Sequence, residues 1–249
     1  MEIEVVGPRK IITFTLSGGT EIAISETLVT GWIVMILLTV IILILTHDMK
    51  VVPESKRQVA AEWIVNFFEN TVKDTMGPKM IKFAPYIATL FCFALIGALI
   101  SLFGLRSMTI DINCTGTWAL ITFALITYWK IKNNGIGGYL KGFTEPVFVI
   151  TPINILSEIA TPVSMAIRMF GNMAGGMIIT SLVYAALTLA SQAIYGLLGI
   201  TLANFNILQI GVPAVLSLYF DFFSGIVQSY VFIMLTMAYV GDAANPEKE

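Results

Sequence analysis

Between Ile159 and Gly241, a stretch of 83 residues, only Arg168 and Asp221 carry charged side chains. A soluble domain does not sustain so long an uncharged run, whereas a bilayer demands one, at about 20 residues for each helical crossing. Over the whole chain 57% of residues are hydrophobic and 12% charged, well outside the soluble range. The sequence therefore predicts a polytopic membrane protein, a single integral domain over residues 1–249. The formal net charge of −2 and the scatter of basic residues through short loops argue against nucleic acid as a partner. Cys92 and Cys114 lack the spacing of metal sites or redox pairs and read as inert. No His/Cys cluster, Walker loop, nucleophile elbow or dinucleotide fingerprint occurs, so neither metal nor cofactor is expected.

Residues 1–25 form an extracytoplasmic amino-terminal segment in which Gly18-Gly19 separates two β-prone stretches, predicting a small hairpin. A first crossing spans Glu26 to Thr46 and ends in His47-Asp48-Met49-Lys50 without a cleavage site, so it stays in the membrane. From Glu54 to Thr75 charged residues alternate with Val59, Trp63, Ile64 and Phe67 at spacings of three and four, the pattern of an interfacial amphipathic helix. Gly77-Pro78 stops it. A second crossing is expected from Ala84 to Leu105, a polar loop over 107–117, and a shorter crossing from Trp118 to Ile131. Asn133-Asn134 and Gly135 to Gly138 close that pair as a turn. The last two crossings, about Leu156 to Ala193 and Pro213 to Tyr239, are joined by a loop with Asn204, Asn206 and Gln209. A helix over 156–193 is about 57 Å long, against roughly 30 Å of hydrocarbon, so it must tilt, bend or break. The expected fold is all-α, with five crossings plus one interfacial helix, and residues 156–241 form a long, strongly tilted hairpin. Basic residues then fall mostly on one side, which puts the amino terminus outside and the carboxyl terminus in the cytoplasm.

A guanidinium stays charged, and one at mid-membrane costs about 2.5 to 3.5 kcal/mol or more. Ser164 and Asn172 lie one turn to either side of Arg168, so a polar stripe runs down an apolar helix. Gly171 and Gly175 form a small-xxx-small pattern on a neighbouring face, where another helix can approach closely. On the last helix Ser217, Asp221, Ser224 and Gln228 recur at spacings of four, three and four. Two facing polar stripes suggest an aqueous ion path; the alternative is a structural pair in which Asp221 neutralises Arg168. Glu158, near the start of the long helix, suits either a dipole-complementing cap or a channel mouth. Asp111 and Asn113 read as solvated loop residues, His47 as an interfacial residue in preference to a proton shuttle, and the methionines as packing.

The segment Thr161 to Met173, TPVSMAIRMFGNM, closely resembles the signature of subunit a of F-type ATP synthases, P-x-S-x-x-x-R-x-F-G-N. Asn134 to Tyr139 and Gln228 to Thr236 agree in order and spacing, so the resemblance covers about residues 26–241. It implies a stator subunit, not catalytic alone, that carries H+ or Na+ through two offset half-channels to and from a ring of c subunits. Arg168 then separates the half-channels, Asn172 and Gln228 flank it, and Asp221 holds a half-channel position. Asp111 lies near the outer entry. The implied partners are the c-ring, peripheral-stalk b subunits, the rest of the complex and the bilayer of a bacterial cell membrane. One departure is Met177, where many members have glutamate nine residues after the arginine; Asp221 is the acid available to stand in for it. A self-contained transporter is disfavoured by the lack of an internal repeat, and a purely structural anchor has no use for Arg168 between two polar stripes.

Overall fold

The computed structural model describes residues 10–15, 21–52, 55–144, 148–198, 211, 215–216 and 218–245. Strands β1 (Lys10–Thr15) and β2 (Glu21–Ser25) pair antiparallel, as the alternation before Gly18-Gly19 predicts; those glycines lie outside the described residues. β2 runs directly into α1 (Glu26–Thr46), where the Ser25 hydroxyl accepts from the Leu28 amide at 3.4 Å. α1 buries only Thr27, Thr30 and Val34 and leaves Ile36, Leu43 and Ile44 open, a surface that suits lipid.

α2 (Lys56–Met76) starts on Ser55 and stops at Gly77, whose φ of 89° is available to glycine at little cost. Its two apolar flanks part between the bundle and the exterior. The edge that docks is Ala61, Phe68, Val72 and Met76, packed on the rest of the bundle, while Val59, Trp63 and Phe67 face outward with Trp63 and Phe67 stacked at 5.8 Å. Both flanks of the helix are apolar, so periodicity alone cannot tell which one meets protein. After a 3₁₀ turn (Pro78–Phe83), α3 (Ala84–Leu99) runs on into a second 3₁₀ turn, Ile100–Phe103.

The expected loop over 107–117 is shorter than its polar composition suggests. Asp111 caps α4 (Ile112–Gly142) by accepting from the Asn113 amide at 3.0 Å, so the helix begins six residues before Trp118. α4 also runs past the expected turn at Asn133-Asn134; only Gly135, at φ 71° and ψ 167°, breaks its helical backbone. α5 (Thr151–Leu198) is 48 residues long, five residues longer at each end than expected, or about 72 Å at the usual rise. Pro152 is tolerated in its first turn, whereas Pro162, inside it, removes the hydrogen bond to the Glu158 carbonyl and favours a bend there. The loop predicted to contain Asn204, Asn206 and Gln209 lies outside the described residues. A π-helical turn (Leu218–Phe223) leads into α6 (Ser224–Ala244).

Among the described residues, four helical stretches are long and apolar enough to cross a membrane: Glu26–Thr46, Pro78–Phe103, Phe148–Tyr195 and Leu218–Ala244. The chain is thus a helical membrane protein with a small amino-terminal hairpin. α6 is its centre: Ile233, Met237 and Val240 pack with Phe68, Val72 and Met76 of α2, Ile87 of α3 and Ile126 of α4. Phe232 packs with Trp118 and Ala119 of α4 and with Met165, Ala166 and Met169 of α5. At Gly241 a Cβ would stand 3.2 Å from the Met76 backbone, so α2 and α6 touch where no side chain fits. We expect Gly241→Val to destabilise the bundle by about 1 to 3 kcal/mol. Gly116→Val, where a Cβ would meet nothing within 4 Å, serves as the control in a heat-inactivation series on detergent-solubilised protein.

Candidate functional site

Packing divides α5 lengthwise around Arg168. Pro162, Met165, Ala166, Met169, Met173 and Gly176 are buried, while Val163, Ser164, Ile167, Arg168, Gly171 and Asn172 are exposed. Arg168 therefore stands on the open side, and among the described residues it has neither an ion pair nor a hydrogen-bonded partner. The alternative in which Asp221 neutralises it is not what the structure forms. Beside it, nothing among the described residues lies within 4 Å of where a Cβ at Gly171 or Gly175 would stand. The small-xxx-small groove is thus unfilled by the described residues. Gly176, one position on, is the glycine a neighbour uses: Phe220 sits 2.9 Å from its Cβ position.

The two polar stripes meet at Asn172. Its Oδ1 accepts from the Ser224 hydroxyl at 3.0 Å, and its Nδ2 donates to Gln228 Oε1 at 3.2 Å. Gln228 is buried. This cross-link between α5 and α6 lies one turn beyond Arg168. Ser164, one turn before it, stays exposed. Of the predicted second stripe, Ser217 lies outside the described residues. Asp221 is half-buried inside the π turn, which packs on α5, on α3 and on the turn Ile100–Phe103. A π turn places an extra residue in the winding, so Asp221 leaves the regular spacing of Ser224 and Gln228; such turns often mark functional positions. Nothing in the spacing of the sequence announces it.

Two acids sit differently from their sequence readings. Asp111 is no solvated loop residue: it is 8% exposed, and its Oδ1 also accepts from Asn113 Nδ2 at 3.1 Å. Around it Ser107 and Thr109 are buried, with the Ser107 hydroxyl donating to the Gly97 carbonyl at 2.7 Å. Glu158 is no helix cap, because α5 begins at Thr151, two turns earlier. Instead both its oxygens hold Lys130 Nζ of α4, at 2.7 and 2.8 Å. A separation of 28 residues hides that pair from any local pattern. It lines an open cleft of about 800 Å³ between α4, α5 and α6, together with Asn134, Tyr139, Ser157, Thr161 and Asp242. Burial and the Glu158 charge hold the Tyr139 phenol above its ordinary value, so it stays a neutral donor. His47 pairs with Asp48 at 2.9 Å at the exposed carboxyl-terminal end of α1, far in sequence from this site. Among the described residues no group of three His, Cys, Asp or Glu side chains is placed to hold a metal ion.

Replacing Asn172 by Ala should remove both cross-links to α6. In a double-mutant cycle with Gln228→Ala, read by thermal stability of the solubilised protein, we expect a coupling of about 0.6 kcal/mol, the usual size for polar pairs between membrane helices. A coupling near zero overturns the assigned bond.

Residues 28–241 match the family described as ATP synthase A chain. The chain is 34% identical over 247 residues to "ATP synthase subunit a, sodium ion specific" of Propionigenium modestum, covering 91% of this chain and 78% of that protein. It is 33% identical over 226 residues to "ATP synthase subunit a 1" of Crocosphaera subtropica, covering 90% and 89%, and 27% identical over 223 residues to "ATP synthase subunit a" of Moorella thermoacetica, covering 89% and 91%. With the motif around Arg168 set on a membrane helix and most of the chain matched, this protein belongs to the ATP synthase A chain family, the subunit a family of F-type ATP synthases.

Proposed function

We propose that the chain is the stator subunit of a bacterial ATP synthase membrane sector, carrying H+ or Na+ through two offset half-channels to and from a rotating c-ring. The observation that carries this reading is Arg168, a permanent cation on the open side of α5 with no partner among the described residues, beside a groove of glycines. A ring helix bearing a mid-membrane carboxylate can approach closely there. Near Arg168 that carboxylate is favoured in its ionised form, so an arriving site gives up its ion before it passes. Arg168 also repels any cation that would leak straight between the half-channels.

On the outer side the path runs from the Asp111 loop past Asp221 to the Asn172–Gln228 link. On the inner side it enters the cleft and follows Ser157, Thr161 and Ser164, which step along α5 at spacings of four and three to Arg168. Moving one charge through the whole potential is worth ~2.3 kcal/mol per 100 mV, which rotation transmits as torque. The subunit catalyses nothing itself; the peripheral-stalk b subunits and the rest of the complex hold it against the ring. α4 up to the break at Gly135 supplies the fifth crossing, α2 lies at the interface, and α5 with α6 forms the tilted hairpin. The amino terminus is outside and the carboxyl terminus cytoplasmic, by the distribution of basic loops. The name of the Propionigenium modestum relative keeps Na+ beside H+ as the ion.

In the assembled complex, Arg168→Ala should reduce ion-driven ATP synthesis to background while the soluble head still hydrolyses ATP, whether a proton or a sodium gradient is applied. Retained coupled synthesis would sink the role of Arg168. Asp221→Asn should slow ion flux more than it lowers the amount of assembled complex, because a relay needs a titratable oxygen. Loss of the protein from the membrane would make Asp221 structural.

A further inference from the structure

We infer that Lys130 is a specificity-determining residue of the inner mouth: its ammonium occupies Glu158 and keeps that carboxylate from capturing the transported cation. The inference rests on the reading of the cleft as the inner half-channel. One ammonium saturates both oxygens of Glu158, at 2.7 and 2.8 Å. The pair is neither a surface bridge nor a fully buried one, with side chains 34% and 17% exposed, so solvent screens it only in part.

Its position matters more than its strength. Glu158 lies ten residues before Arg168, about 15 Å along the helix, beside the Ser157 and Thr161 hydroxyls that an ion must pass. Among the described residues, the charged and titratable groups facing the cleft are Lys130 and Tyr139 from α4, Glu158 from α5, and Tyr239 and Asp242 from α6. With Tyr139 neutral, the cleft carries one net negative charge with Lys130 in place and two without it. Lys132 does not replace it, since its ammonium lies over the Trp129 ring at 4.4 Å. Two uncompensated carboxylates around a water-filled cleft make a cation trap, whereas conduction needs binding weak enough to let the ion leave. A purely structural role explains less: half-buried ion pairs add little stability. Packing of Trp118 and Ala119 with Met165, Ala166 and Met169 already joins α4 to α5.

The test uses inverted membrane vesicles carrying the complete complex, whose cytoplasmic face is outward. ATP-driven ion uptake is measured against external Na+ at fixed pH, and against external pH without Na+. In Lys130→Gln we expect the half-saturating concentration of the coupling ion to fall about fivefold, with a lower maximal rate. Removing the freed carboxylate as well, in K130Q/E158Q, should reverse the shift in half-saturation. An unchanged half-saturation in K130Q, with only less complex assembled, makes the pair structural and overturns the inference. A separate arm tests the cleft itself: Ser157→Cys is treated with a membrane-impermeant maleimide, against the parent holding only Cys92 and Cys114. Block of uptake in S157C alone supports the cleft as the inner mouth. Absence of block overturns that reading whatever K130Q does.

Discussion

A guanidinium on a membrane helix keeps its charge at any pH, and the rest of this bundle is organised around that fact. The cost of about 2.5 to 3.5 kcal/mol or more is not offset by an acid among the described residues, where Arg168 has no ion-pair partner. What the chain supplies is a rigid mount. Met165, Ala166 and Met169 lock the other side of α5 against Trp118 and Phe232, so the arginine is held by its backbone and left open at its head. Under the proposed function, the compensating charge is the carboxylate of the ring that the stator faces.

The mount also has to present the neighbours of Arg168 in register. α6 must turn Phe232, Ile233 and Met237 into the core while directing Ser224 and Gln228 at Asn172. Regular helical winding does both from Ser224 onward. Upstream, the π turn changes the phase and takes Asp221 out of the stripe it continues in sequence. Phe220, in the same turn, is seated in the notch left by Gly176. The π turn thus touches α5 at Gly176, one position beyond the groove glycine Gly175, where a side chain larger than hydrogen would push the two helices apart.

Local chemistry made much of this readable. Ser25 followed by an acid and an apolar run fixes α1 to the residue, and Gly77-Pro78 stops α2 where a glycine φ of 89° is needed. Arg168, Asn172 and Gln228 stand out because polar residues on apolar helices are rare enough to notice. What stayed hidden depends on distant partners. α4 starts early because Asp111 turns inward as a cap, and it runs through Asn133 because that side chain finds acceptors at the end of α6. The docking edge of α2 is not legible because its two apolar flanks differ only in what they touch. Lys130 and Glu158 meet across 28 residues, and a π turn has no composition of its own.

The carboxyl-terminal end of α6 shows how side-chain amides complete the end of a helix. The last carbonyls of a helix have no internal partner and need one from elsewhere. Here Asn133 of α4 donates to the carbonyls of Ala243 and Ala244 at 2.8 and 3.0 Å, and Asn245 donates to the Met76 carbonyl of α2 at 2.6 Å. Three helices are tied at one end by side-chain amides, next to the tight Gly241–Met76 contact. At the other end α6 begins in a π turn, whose winding is less regular and which holds the half-buried Asp221. Under the proposed function, torque applied through Arg168 is resisted at the tied end, close to the cleft, while the outer end keeps the conformational latitude that passing an ion requires.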